Sequence, residues 1–133
     1  MIDHIGFDCS DYRRSRSFYQ KALAPLGLGV VMEMTKEQSG GYEGCGFGQG
    51  GKPEFWIGSN AGPGSQPVPR SLHVAFSAPD RPTVDAFYRT AIAAGGQDNG
   101  APGLRPHYHP NYYGAFVLDP DGHNIEAVCH RPE

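Results

Sequence analysis

The feature that most constrains this chain is an internal repeat. The segment starting at Ile2 returns at Ser71, an offset of 69 residues. Across that offset His4 falls on His73, Ile5 on Val74, Phe7 on Phe76, Phe18 on Phe87, Tyr19 on Tyr88, Ala22 on Ala91 and Leu23 on Ile92. Self-similarity at a fixed spacing means one supersecondary unit used twice, each copy too small to bury its apolar face alone. A chain of 133 residues is long enough for one domain and too short for two with separate cores. One domain over residues 1–133 is therefore expected, with the two copies sharing a core.

Each copy opens on an alternating stretch. Asp3, Ile5 and Phe7 share one face of the first strand and Ile2, His4 and Gly6 the other. In the second copy Leu72, Val74 and Phe76 oppose His73, Ala75 and Ser77, so both histidines stand away from the larger apolar side chains. A helix follows each strand. Val84, Phe87, Tyr88, Ala91 and Ile92 have the spacing of one buried stripe, closed by Gly95 and Gly96. The first helix runs from a cap at Ser10 or Asp11 to about Leu26, with Phe18, Tyr19, Ala22 and Leu23 inward and Pro25 and Gly27 closing it.

Short strands come next: VVMEM, EGCGFG and EFWIG in the first copy, YGAFVLD and HNIEAVC in the second, the last two joined by a hairpin turn at Asp119-Pro120-Asp121-Gly122. The turn-rich SNAGPGSQPVP, at 59–69, reads as a linker. The expectation is an α+β fold of two βαβββ modules, about 1–58 and 70–131. Their strands are expected to form a curved mixed sheet with helices outside and histidines on the uncovered face.

In the last strand Ile125 and Ala127 alternate with Asn124, Glu126 and Val128, so Glu126 points away from its apolar neighbours as His4 and His73 do. Two imidazoles and one carboxylate suit one divalent ion such as Fe, Mn, Zn or Ni, and leave positions open for water or substrate.

Composition narrows the partners. Eleven basic against fourteen acidic residues give a net charge of −3 with no basic run, which argues against nucleic acid. No apolar run reaches transmembrane length, and the N-terminus has no export signal, so a cytoplasmic protein without a membrane partner is expected. Cys9, Cys45 and Cys129 are odd in number and widely spaced, and are expected as reduced, buried thiols.

The segments DHIGFDCSD, SLHVAFSAPD and LDPDGHNIEAV resemble the motifs of the vicinal oxygen chelate superfamily, the glyoxalase/bleomycin resistance protein/dioxygenase group, over essentially the whole chain. The resemblance implies paired βαβββ modules and metal ligands at His4, His73 and Glu126. It also implies a small-molecule substrate chelated through neighbouring oxygens, with lyase, isomerase, dioxygenase and transferase chemistry all open. Sites of this kind form within one chain or across a dimer, and a homodimer is expected. The place of the fourth ligand of glyoxalase I falls on Trp56, which neither binds a metal nor carries a proton. The tyrosine that three-ligand relatives often carry falls on Phe116. The alternative to an enzyme is a non-catalytic small-molecule binder of the bleomycin-resistance type.

The proline-interrupted segment LRPHYHPNYYGAF supplies most of the remaining candidates. Glu126, His107, His109 and Tyr113 are expected in proton-moving or catalytic roles, and Trp56, Arg105, Asn111, Tyr112 and Phe116 in substrate binding. The competing reading is an extended strand whose tyrosines pack on Trp56 and whose histidines face solvent. His123 and His130 are expected at the surface.

Overall fold

The computed structural model describes residues 1–59 and 72–133, so residues 60–69 of the expected linker lie outside the described residues. The first module runs β1 (Ile5–Asp8), α1 (Tyr12–Ala22), β2 (Gly29–Met34), α2 (Lys36–Ser39), β3 (Glu43–Gln49) and β4 (Lys52–Ser59). The second runs β5 (His73–Ser77), α3 (Arg81–Ala93), β6 (Gln97–Leu104), β7 (Tyr113–Leu118) and β8 (Asn124–Cys129). Both are βαβββ units, and the strands form two four-stranded mixed sheets in the orders β1-β4-β3-β2 and β5-β8-β7-β6.

Local chemistry explains the helices. The Asp11 carboxylate caps α1 by accepting from Arg14 N, and that of Asp80 caps α3 by accepting from Thr83 N. The first helix ends sooner than its periodicity predicts. Pro25 turns the chain into a short 3-10 segment, Ala24–Leu26, closed by Gly27 at φ 78°, a conformation few side chains adopt. The first copy carries its strands where the pattern predicts, but β6 has no strand-like sequence, QDNGAPGL being poor in branched and aromatic residues. It survives as an edge strand, paired on one side only to β7 through a register that shifts twice.

A single core joins the modules. Phe18, Tyr19, Ala22 and Leu23 of the first helical region and Val84, Phe87 and Ala91 of α3 are all at most 1% exposed, as are Phe55, Ile57, Val117 and Ile125 of the sheets. Each large side chain so buried contributes about 1.5–3 kcal/mol relative to exposure. Phe55 and Phe76 meet edge to face across the modules at 5.3 Å.

The Asp119-Gly122 turn is a second bridge between modules. Tyr19 donates its buried hydroxyl to Asp119 Oδ2 at 2.5 Å, while Asp119 Oδ1 accepts from the backbone of Asp121 and His123. Burial first, and then this carboxylate, push the Tyr19 phenol well above its usual range. Ser10 N donates to Asp121 Oδ2 at 3.1 Å, so the start of the first module grips the same turn.

His123 departs from expectation. Rather than lying at the surface it is 0% exposed, its ring 4.7 Å from that of Phe7, because the turn tucks beneath β1 and its next residue enters the shared core. Neither ring nitrogen has a hydrogen-bond partner among the described residues. The three cysteines are buried and unpaired, as expected. Among the described residues no helix is long and apolar enough to cross a membrane.

Candidate functional site

Register decides what stands on the uncovered face of the second sheet. His73 pairs with Asn124, Ala75 with Glu126, and Phe116 with Glu126 from the other side. Side chains of paired residues share a face, so His73, Asn124, Glu126 and Phe116 project together, while Ile125, Ala127 and Val117 enter the core. His73 Nε2 lies 3.2 Å from Glu126 Oε2. His73 Nδ1 lies 3.0 Å from the backbone oxygen of Asn124, which only accepts, so Nδ1 carries the hydrogen and donates it. In the neutral ring Nε2 is then a bare lone pair facing a carboxylate oxygen. Two acceptors at that separation need a proton or a cation between them.

Glu126 is buried, at 1% exposure, and a buried carboxylate is costly unless its oxygens are occupied. Its Oε1 accepts a hydrogen bond from the Tyr112 hydroxyl. Burial first, then that bond to Glu126, push the Tyr112 phenol up to about 12.

The segment between β6 and β7 folds into a compact loop. Arg105 N donates to Tyr112 O at 2.7 Å and Tyr112 N to His109 O at 3.0 Å. The Arg105 guanidinium sits 5.4 Å above the Phe116 ring and donates to Ala101 O at 2.8 Å. On the sheet side the His73 ring stacks with Phe116 at 6.4 Å. Arg105, His107, Tyr108, Asn99, Asn124 and Phe116 line an open cleft of about 310 Å³ that abuts His73 through Phe116 and Asn124.

Other candidates fall elsewhere. Tyr113 stands on the covered side of β7, its hydroxyl donating to Asp85 Oδ1 of α3 at 2.7 Å and its ring beneath Arg81, so an expected proton-moving role on the open face does not match its position. The alternation places it there, since Tyr112 and Tyr113 are neighbours and one of them must face the helix. His109 is exposed, its Nδ1 accepting from Asn111 N at 3.1 Å, so Asn111 serves the loop through its backbone. His130 is exposed, as expected, with its ring against Tyr112.

His4 lies in the first module. It precedes β1, is exposed, and its Nδ1 contacts Asp3 Oδ1 at 2.8 Å. Among the described residues of one chain, no three His, Cys, Asp or Glu side chains gather closely enough to hold a metal ion. The chain thus brings His73 and Glu126 together and leaves His4 apart.

On the open face of the first sheet Trp56 holds the place of Glu126, since Gly6 pairs with Trp56 as Ala75 does with Glu126. The indole needs bare neighbours. A Cβ at Gly6 would meet Trp56 Cβ at 2.9 Å, and one at Gly46 would meet Cε2 of the indole at 2.9 Å. Tyr42, which the sequence reading did not single out, lies across Gly44 and Gly58 on the same face. The reading also missed Asn124, which orients His73, and Asn99, whose amide donates to Asn124 Oδ1 at 3.2 Å. A signal for Tyr42 was present: Tyr42-Glu43-Gly44 repeats as Tyr112-Tyr113-Gly114 at the start of the equivalent strand.

Comparison with known proteins agrees with this architecture. The chain is similar to a glyoxalase/bleomycin resistance protein from Albidiferax ferrireducens, with 27% identity, 98% of each chain covered and a TM-score of 0.71. It resembles glyoxalase I from Zea mays in fold, with 19% identity and a TM-score of 0.71, over 99% of this chain and 45% of that one, so it spans about half of that protein. A glyoxalase/bleomycin resistance protein/dioxygenase family enzyme from Burkholderia phytofirmans aligns over 98% of both chains at 20% identity and a TM-score of 0.64. No curated protein sequence matches the chain. With the family's sequence profile matching residues 1–127, the chain belongs to the Glyoxalase/Bleomycin resistance protein/Dioxygenase superfamily.

Proposed function

We propose that the protein is a metal-dependent enzyme acting on a small substrate that chelates one divalent cation through two neighbouring oxygens. The observation that carries this reading is the His73–Glu126 pair, 3.2 Å apart with an imidazole nitrogen facing a buried carboxylate oxygen. Neighbouring ligands on one ion, each about 2.1 Å from it, stand roughly 3.0–3.4 Å from each other. The donor set fits a first-row divalent ion such as Fe, Mn, Zn or Ni.

Two ligands from one chain are too few for a catalytic centre, and His4 of a second copy supplies the third in a homodimer. This arrangement reconciles the repeat-equivalent histidines with their separation within one chain. When bound, the ion acts as a Lewis acid, polarising adjacent substrate oxygens for lyase, isomerase or dioxygenase-type chemistry.

The chain's own residues do the rest. Asn124 fixes the His73 tautomer through its carbonyl. Arg105, stacked on Phe116, holds an anionic or aromatic substrate in the adjoining cleft, and His107 in that cleft moves protons.

Elemental analysis of purified wild-type protein and the Glu126→Ala variant tests the reading, followed by assays with methylglyoxal hemithioacetal, catechols and fosfomycin. A divalent ion present in wild type, absent in Glu126→Ala, and turnover of one substrate class support it. Wild-type protein that holds no ion under metal-replete conditions contradicts it. A second reading, a non-catalytic binder of the bleomycin-resistance type, is favoured by Trp56 and Tyr42, which present aromatic surface on the first module's open face. It predicts ligand-induced quenching of Trp56 fluorescence without turnover.

A further inference from the structure

The two oxygens of Glu126 have different partners. Oε2 faces His73 Nε2, whereas Oε1 accepts from the Tyr112 hydroxyl. We propose that Tyr112 is the positioning residue of the metal centre: its phenol occupies the oxygen the ion does not need and turns the other toward His73. The assignment rests on the metal reading above.

Three observations carry it. Tyr112 is itself pinned, by backbone hydrogen bonds to Arg105 and His109 and by the rings of Tyr108 and His130, each 5.1 Å from its own. The route of the phenol to Glu126 crosses Gly114, where a Cβ would stand 3.1 Å from Glu126 Oε1 and 3.2 Å from Tyr112 Cε1. A larger residue there would crowd both partners. The first module repeats the Tyr-x-Gly element but ends differently. Tyr42 lies across Gly44 with its hydroxyl over Gly58, and among the described residues it makes no hydrogen bond to a carboxylate. In the second module the corresponding tyrosine reaches Glu126 instead and donates a hydrogen bond to its buried carboxylate.

A partner of this kind fixes one rotamer of the ligand carboxylate, and its loss typically weakens a metal site about 10–100-fold. Because Tyr112 closes the loop that carries Arg105, it also couples the substrate cleft to the ligand pair.

The test is titration of Co(II) into wild-type protein, Tyr112→Phe, Tyr42→Phe and Gly114→Ala, reading the dissociation constant and the cobalt d–d absorption, with thermal melts to establish folding. Tyr112→Phe is expected to lose about 10–100-fold in affinity and to shift the cobalt spectrum. Tyr42→Phe is expected to match wild type. Gly114→Ala, which displaces the phenol without removing it, is expected to move both readouts in the direction of Tyr112→Phe, and it carries the test if Tyr112→Phe does not fold. Wild-type protein that binds cobalt, with Tyr112→Phe and Gly114→Ala binding it equally and with an unchanged spectrum, overturns the assignment alone. Wild-type protein that binds no cobalt overturns the metal reading and the assignment with it.

Discussion

Trp56 and Glu126 occupy the same place in two copies of one unit, each beside the first strand of its module and facing out of the sheet. One is an indole over a floor of glycines and the other a buried carboxylate between a histidine and a tyrosine. Duplication has kept the backbone register and released the side chain. The neighbours record that release: where the first copy has Gly6 and Gly46 around the indole, the second has Ala75 and Phe116 around the carboxylate. A wide ring needs bare strands beneath it, whereas a small ligand needs partners around it.

The largest effect expected from this contrast is on metal retention. Glu126→Ala should weaken divalent metal binding by about 100-fold or more, since a ligand costs at least as much as its outer-shell partner. Trp56→Phe should leave it nearly unchanged in the same competition titration. Equal losses would erase the distinction between the copies.

The bond that ties the copies together comes next. Tyr19→Phe removes a buried donor from the Asp119 carboxylate and should lower stability by about 1.5–3 kcal/mol in urea unfolding. A third effect tests the glycine floor. Gly46→Ala places a methyl against the indole and Pro53, and should cost about 1–2 kcal/mol by overpacking. Shrinking the indole to alanine in the same chain should recover part of that loss, a coupling that a double-mutant cycle reads directly.

The smallest effect concerns pH. Hydrogen bonds from Thr83, side chain first and backbone second, hold the Asp80 carboxyl below its usual value. A carboxyl depressed on folding adds stability above its unfolded pKa, near 3.8, and loses it as pH falls through the lower folded value. Replacing Asp80 with serine keeps a cap but removes the charge. The urea midpoint of the variant should therefore fall less than that of wild type between pH 5 and pH 3.

Much of this was legible in the residues themselves. The repeat fixed the two modules, and strand alternation put His73 and Glu126 on one face because a period of two leaves no freedom once the apolar face is known. Alternation is blind to which sheet a face belongs to, so His4 read as sharing the side of His73 although it stands on the other module. It was also silent on β6, whose glycines and proline are tolerated at a sheet edge, and on His123, whose burial depends on a turn folding beneath a distant strand. In the aromatic loop, adjacency of Tyr112 and Tyr113 meant that one faced the site and the other the helix, and only the register of β7 decides which.

Subunit mixing tests the shared metal centre most directly. His4→Ala and Glu126→Ala proteins, each expected to hold no cobalt alone, are unfolded together, refolded and titrated with Co(II). A centre built from His73 and Glu126 of one copy and His4 of another predicts that the mixture regains about a quarter of wild-type capacity, as random pairing in a two-fold dimer requires. A mixture that binds no cobalt, or a His4→Ala protein that binds it as wild type does, contradicts the account.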